Sequence, residues 1–418
     1  MRLHWFSPLL PDRTDIGHFT GRVLRELATR AEVTVWTETD CPDRSILPEK
    51  VPIHRFDPHT LDYSRLNAAD VVVYNIGNNG PFHAGIYQVS KRLPGVTILH
   101  EADLQGLFLY LWLNIDGTPE CYPEHMREHY GILAQNFARA RLRSIPLDHL
   151  CHQYPITHPV VEGSIGVVSH TPQVTKFALE HGLPVRELPL PFNAGGLQRA
   201  EKRAGRIRLI QFGYLNPHRG LQHIFEALSK HSKRSMFNFD IYGQIWDLGL
   251  IESKIAALDL GQQVKLRGFV DESELNQAIA EADLVFNLRF PTVGEASGTQ
   301  LRIWSNAAPS VVTNHGWFGN LPDNIAIKVQ PRQEVDQLTT ILDQLAEDRH
   351  CFDELGLNGR ELLVSRHSPR QYATDLIDFL SQAQTWEQRF HGRKAQDYLN
   401  RRRFELQGLS SDLTQSGF

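Results

Sequence analysis

RFPTVGEASGTQLRIW, residues 289–304, decides how this chain reads. It follows the apolar run Leu284–Leu288 and leads into the amphipathic segment Thr299–Asn306, the pattern of a loop joining a buried strand to a helix. Ser297 is placed to cap that helix. Gly298 lets a ligand approach the backbone, and the N–H groups of the first turn, Thr299 included, can receive a diphosphate with the helix dipole behind them. Glu295 stands just before the cap, where a carboxylate can accept hydrogen bonds from sugar hydroxyls carried by that diphosphate. A capped helix after a strand is common in itself, so the weight rests on a second loop of the same kind. FGYLNPHRGLQ, residues 212–222, follows the strand Arg208–Phe212 and supplies Gly213 for close approach and Arg219 as a phosphate clamp.

Outward from these loops, short β-branched runs alternate with helical stretches. In the second half, strands are expected at Phe239–Tyr242, Val264–Gly268, Ser310–Thr313 and Ile325–Val329, with helices at Leu221–Ser229 and Glu272–Ala280. The first half repeats the pattern with strands at Arg2–Ser7, Val33–Thr37, Val71–Tyr74, Val96–His100 and Ser164–Val168, and a helix at Phe19–Ala31. Such alternation predicts an α/β chain of two doubly wound, Rossmann-like domains facing across a cleft. The polar stretch Asn193–Gly205 marks the boundary. It divides the chain into an N-terminal Rossmann-like domain (1–195), a C-terminal Rossmann-like domain (205–370) and a C-terminal helical segment with a polar tail (371–418), expected as a surface helix with frayed ends that turns polar and basic at Arg401–Arg403.

Composition narrows the classes. A length of 418 residues with 41% hydrophobic and 22% charged residues is that of a globular protein with more than one domain, and a net charge of -5 gives no general attraction to nucleic acid. Cys41, Cys121, Cys151 and Cys351 form no CxxC pair, and no DxD-type motif sits suitably, so no metal is expected in the reaction. The N-terminus lacks a secretory pattern and Leu104–Leu113 is too short to span a bilayer, so a cytoplasmic location is expected. Arg139, Arg141 and Arg143 read as a solvated helix face. The alternative is a peripheral contact with an anionic acceptor or membrane, flanked by the apolar Leu107–Leu113.

With these residues in view, the second half resembles the nucleotide-sugar glycosyltransferases of the GT-B fold, in particular retaining family 4. The resemblance implies that Glu295 contacts the donor sugar. The family's second glutamate, eight positions on, falls on Ile303, or on Arg302 when counted back from Pro309. Of the family's basic pair, Arg219 matches the lysine, while Tyr214 stands where an arginine is usual. SPLLPDRTDIGHFT, residues 7–20, is similar to the loop that approaches the diphosphate from the opposite domain, with Gly17 carried over. YNIGNNGPFHAGIY (74–87), PGVTILHE (94–101) and SHTPQV (169–174) extend the likeness. His100 corresponds to a histidine near the reacting centre, and Asn78, Asn79 and His83 are candidates for the acceptor side. What is implied is a metal-independent, retaining transfer from a UDP- or GDP-type sugar to a glycan, lipid-linked or small-molecule hydroxyl, with no further cofactor. Two other readings stay open: a catalytically idle nucleotide-sugar or glycan-binding protein, and a GT-B epimerase or hydrolase. A dinucleotide-dependent dehydrogenase is disfavoured because neither half has a GxGxxG after its first strand.

Overall fold

The structure, a computed structural model, describes residues 1–145, 147–196, 205–388 and 390–391. Thirteen strands form two sheets among these residues. The first contains β1 (Arg2–Phe6), β2 (Glu32–Thr37), β3 (Ile53–Arg55), β4 (Val71–Ile76), β5 (Val96–Leu99), β6 (Gly166–Ser169) and β7 (Val185–Glu187), in the order β3-β2-β1-β4-β5-β6-β7. The second contains β8 (Ile207–Leu215), β9 (Phe237–Ile245), β10 (Val264–Gly268), β11 (Leu284–Asn287), β12 (Ser310–Thr313) and β13 (Ile327–Val329), in the order β10-β9-β8-β11-β12-β13. Neighbouring strands run parallel throughout. The central strands are buried along their whole length, as in VVVYNI of β4 and LVFN of β11. A sheet covered on both faces selects such unbroken apolar runs.

The two doubly wound halves expected from the sequence are therefore present. Strand order reverses between β1 and β4 and again between β8 and β11. Loops leaving such neighbouring strand ends diverge to opposite faces and open a crevice between them. The loops quoted above leave β1, β4, β8 and β11 at those points. The edge strands β3 and β7, three residues each, carry too few apolar positions to be visible beforehand. The helices Leu248–Ala257, Glu334–Glu347 and Asp353–Arg366 were also not anticipated. Part of the expected boundary, residues 197–204, lies outside the described residues.

The C-terminal helix departs from expectation. Pro369–Leu380 does not ride on the surface: Tyr372, Leu376, Phe379 and Leu380 are buried against Phe19, Val23, Leu24 and Leu27 of the helix Asp15–Leu27 in the first half. Trp386 and Phe390 extend that core. The chain thus crosses between the halves twice, and the crossings touch: Phe192 N–H donates to His367 O at 2.8 Å, and His367 Nδ1 lies 2.7 Å from Leu190 O. Residues from 392 onward, Arg401–Arg403 among them, lie outside the described residues. Among the described residues, no helix is long and apolar enough to cross a membrane.

Candidate active site

The quoted loop is pinned across the cleft. Ala102 N–H and Asp103 N–H, just beyond β5, both donate to Val293 O at 2.9 Å, and Thr171 Oγ1 donates to Gly294 O at 3.1 Å. Gly294 has φ +79°, and a Cβ there would stand 2.5 Å from the Ala102 Cβ. The glycine is therefore required by contact with the other half.

Beyond it, the helix Gly298–Ser305 begins as expected. Ser297 Oγ accepts the Gln300 N–H at 3.1 Å and Ser297 O accepts the Leu301 N–H at 3.2 Å, which leaves Gly298 and Thr299 as the remaining first-turn donors. Asn287, at the end of β11, joins this helix start to the second loop. Its amide donates to Gln300 Oε1 at 2.9 Å and to Ser297 Oγ at 3.3 Å, and its oxygen accepts from Arg219 Nη1 at 3.2 Å. Gly213 has φ +111°, a backbone conformation that favours glycine, and its Cβ position lies in ordinary contact with Arg219 Nη2 at 3.9 Å.

A second guanidinium stands beside the first. Arg289 is half-buried, and its enclosed Nε has no hydrogen-bond partner among the described residues. Burial pushes its pKa well below the usual arginine range and the charge of Arg219 pushes in the same direction, while Asp15 and Glu101 oppose the shift. Burial likewise lowers Arg219 to about 10, against the pull of Asp15. Two like charges thus stand close together beside Asn287, which also bonds the helix start, and Arg289 is offset in part by its pairing with Glu295. Tyr214 is exposed, its ring edge-on to the exposed Phe269 at 6.0 Å. Arg289 lay inside the quoted stretch, yet its residue type alone gave no reason to pair it with Arg219.

Glu295 is buried and turned into its own loop: one oxygen pairs with Arg289 and the other accepts the Val293 N–H at 2.9 Å. In this arrangement it holds the loop and orients Arg289. At the position of the family's second glutamate, Ile303 is fully buried among Ile210, Phe212, Ile279 and Val285. Arg302 faces out and donates to Glu272 at 2.7 Å and Asn276 at 3.3 Å. It borders a cavity of about 210 Å³ that it shares with Arg22 and Phe192.

The first half presents Asp15 to this site, its Oδ2 3.9 Å from where a Gly298 Cβ would be. Gly17, two residues on, is buried, and a Cβ there would stand 3.3 Å from the backbone of Leu9 and Leu10 in the preceding loop. His100, expected at the reacting centre, belongs instead to packed interior. Its Nε2 lies 3.1 Å from Asn75 Oδ1, and its ring meets Phe19 edge-on at 4.8 Å and His170 at 5.2 Å. Burial, with the neighbouring His170 and His83, holds it neutral, far below its ordinary pKa. His83 is also interior, with Nδ1 3.1 Å from Asn75 O, and burial lowers it to about 4. Asn78 braces the helix Gln105–Tyr110, accepting from Gly106 N–H at 2.6 Å and Leu107 N–H at 3.2 Å. Of the acceptor-side trio only Asn79 is exposed.

The sequence reading passed over Glu101. Its carboxylate accepts the Asn78 N–H and feels Asp103, Arg289 and Asp15. Burial, reinforced by Asp103 and Asp15, raises it to about 7 against the Asn78 hydrogen bond and Arg289. Arg141 was expected in solvent with its neighbours. It turns inward instead, donating to Gln105 Oε1 at 2.8 Å and the Tyr122 hydroxyl at 3.1 Å.

The sequence matches no protein-family model and no curated protein. Solved structures do match. Anabaena HepE in complex with UDP and glucose is 14% identical and superposes with a TM-score of 0.62 over 91% of this chain and 99% of its own. WaaG, a glycosyltransferase involved in lipopolysaccharide biosynthesis, is 17% identical with a TM-score of 0.57 over 89% and 98%. Sucrose-phosphate synthase from Thermosynechococcus elongatus is 13% identical with a TM-score of 0.61 over 94% and 100%. At such identities the likeness establishes architecture, and the architecture of this chain is the GT-B glycosyltransferase fold.

Proposed function

We propose that this protein transfers a sugar, of the hexose type, from a nucleotide-diphosphate donor to an acceptor hydroxyl with retention of configuration. The observation that carries the reading is the grouping of Arg219 and Arg289, within electrostatic range of each other and of Asp15, whose carboxylate lies by Gly298 at a helix start that leaves the Gly298 and Thr299 amides free of cap bonds. Two guanidiniums and a helix N-terminus supply the charge that a leaving diphosphate needs, so the transfer runs without a metal. Because these groups are fixed before substrate arrives, they stabilise negative charge as it develops without reorganising, commonly the main source of such a rate enhancement. Glu295 keeps Arg289 aimed and the loop closed, and carries the sugar contact once a donor displaces part of that pairing. The exposed pair Tyr214 and Phe269 offers the aromatic surface against which a base can stack. HepE was solved with UDP and glucose, which makes a uridine-type donor the first to try. The reaction fits the cytoplasm, where such donors are made. Exposed Leu113, Ile115, Ile132 and Leu133 with Arg139 and Arg143 supply a face for peripheral contact with a lipid-linked acceptor.

The test is a thermal-shift panel of nucleoside diphosphates, followed by donor turnover with and without acceptors. A ligand bound only by the native state raises the melting temperature. The expected result is a diphosphate hit that is lost in Arg219→Ala, and acceptor-dependent release of that diphosphate. No hit across UDP, GDP, ADP and TDP removes the proposal. A second reading has its own support: Glu101, a carboxyl titrating near 7 beside Arg289, can protonate or activate water as a hydrolase or epimerase requires. Donor consumption without any acceptor, abolished in Glu101→Gln, selects that reading.

A further inference from the structure

Three histidines meet outside the cleft, on elements that the proposed transfer does not use. His125 and His129 lie one turn apart on the helix Cys121–Tyr130, and His158 opens the helix His158–Glu162. The ring centroids of His125 and His158 are 4.6 Å apart, those of His129 and His158 3.7 Å, and those of His125 and His129 4.5 Å. One ring nitrogen from each can be chosen so that all three lie within 4.8 Å of one another.

Packing alone does not account for this cluster. His158 is 7% exposed, and its Nε2 and the Nε2 of His125 are both buried without a hydrogen-bond partner among the described residues. Buried ring nitrogens of this kind almost always find a donor or acceptor. Here each meets the other two imidazoles, and the Trp112 ring lies 5.3 Å from that of His125. His129 is exposed and closes the group on the solvent side.

We propose that His125, His129 and His158 bind one late first-row transition-metal ion of the Zn2+ class. Three neutral imidazoles are a borderline-soft, all-nitrogen donor set. Such a set selects Zn2+, Co2+, Ni2+ or Cu2+ and rejects the oxygen-seeking Mg2+ and Ca2+. Tetrahedral Zn–N bonds place ligand nitrogens about 3.3 Å apart, so rotation of the side chains, His129 above all, draws the set together without moving either helix. The fourth position is left to water on the side of His129.

The ion ties together segments far apart in sequence. Thr157, next to His158, gives its hydroxyl to Ala102 O, and Ala102 N–H holds Val293 O across the cleft. A metal at His158 therefore braces the support of the interdomain contact as well as the helical layer that carries Gln105 and Tyr122.

The test uses the full chain, stripped with a chelator and desalted, then titrated with Zn2+ against a chromophoric chelator and with Co2+ for its visible d–d bands. The expected result is one ion per chain, with the intense bands of low-coordinate, nitrogen-bound Co2+. His129→Ala, which removes an exposed ring, should weaken binding by about a hundredfold and collapse those bands. His158→Gln should do the same, and if that variant fails to fold, His129→Ala decides alone. His350→Ala, on an exposed histidine elsewhere, should change nothing. The proposal is overturned if no stoichiometric ion binds, or if His129→Ala binds as tightly as wild type, because the ion then sits among others of the 20 histidines.

Discussion

Replacing Gly294 by alanine should unlatch the two halves. At φ +79° an alanine carries a left-handed backbone penalty of about 1–2 kcal/mol. Its Cβ would stand 2.5 Å from the Ala102 Cβ, whereas unstrained carbon contacts begin at about 3.5 Å. The loop must therefore retreat by about 1 Å, which stretches the hydrogen bonds to Val293 O (2.9 Å each) and Gly294 O (3.1 Å) beyond useful length. Each such bond contributes about 0.5–1.5 kcal/mol net, and the retreat relieves part of the strain, so closure should weaken by about 3 kcal/mol, a factor of about 150. Hydrogen exchange read by mass spectrometry on the peptide containing Ala102 and Asp103 measures this directly, since both amides are protected only while the loop is docked. Gly117→Ala is the control, because Gly117 shares the positive φ (+66°) but has nothing within 4 Å of its Cβ position. If the exchange of Ala102 and Asp103 is the same in wild type and Gly294→Ala, the latch does not exist in solution.

Other outcomes follow from the same geometry. Arg289→Ala should weaken nucleoside diphosphate binding by about 2–3 kcal/mol in titration calorimetry, comparable to Arg219→Ala, and Arg289→Lys should recover only part of it, because a point charge replaces a planar fork. Glu101 is raised from its ordinary 4.5 to about 7, so the folded state gains a proton relative to the unfolded state between those values and loses stability as pH rises through that window. Glu101→Gln should match wild type below pH 4.5 and exceed it by up to about 3 kcal/mol above pH 7 in urea unfolding; a gap that does not change with pH would contradict the assignment. Taking the difference between the two proteins cancels Glu38, which burial raises in the same direction. Ile303→Glu should not restore a ribose contact. It buries a carboxylate in a core with no partner, at a cost of about 4 kcal/mol or more, seen as a lowered melting temperature or insoluble protein.

The fold was legible because buried parallel strands leave a repeated trace: β4 and β11 are short, mostly apolar runs rich in β-branched and aromatic residues, set off by turn residues and alternating with helical stretches. Loop positions set by local chemistry were legible too, as with Ser297, whose capping of Gln300 depends only on its neighbours. What escaped were pairings made by the fold itself. Arg289 meets Arg219 across 70 residues, and Glu101 takes its character from Asn78, Asp15 and Arg289, none of which flanks it. The surroundings of His100 escaped for the converse reason: the end of a strand can face a cleft or an aromatic neighbour, and residue type does not say that this ring meets Phe19. The histidine trio escaped because its third member is 29 residues from the second, beyond any spacing that a helix enforces.

The helix Pro369–Leu380 imposes an order on synthesis. The first sheet is complete once β7 has emerged, yet its core still lacks Tyr372, Leu376, Phe379, Trp386 and Phe390, which lie beyond the entire second sheet. On a translating ribosome those side chains arrive after roughly 180 further residues, about 10–40 s later at ordinary elongation speed. Through that interval Phe19, Val23 and Leu24 present an uncovered apolar groove to the surroundings. The first half must wait, exposed, for the far end of its own chain, and any nascent-chain holdase that attends it has this groove to hold.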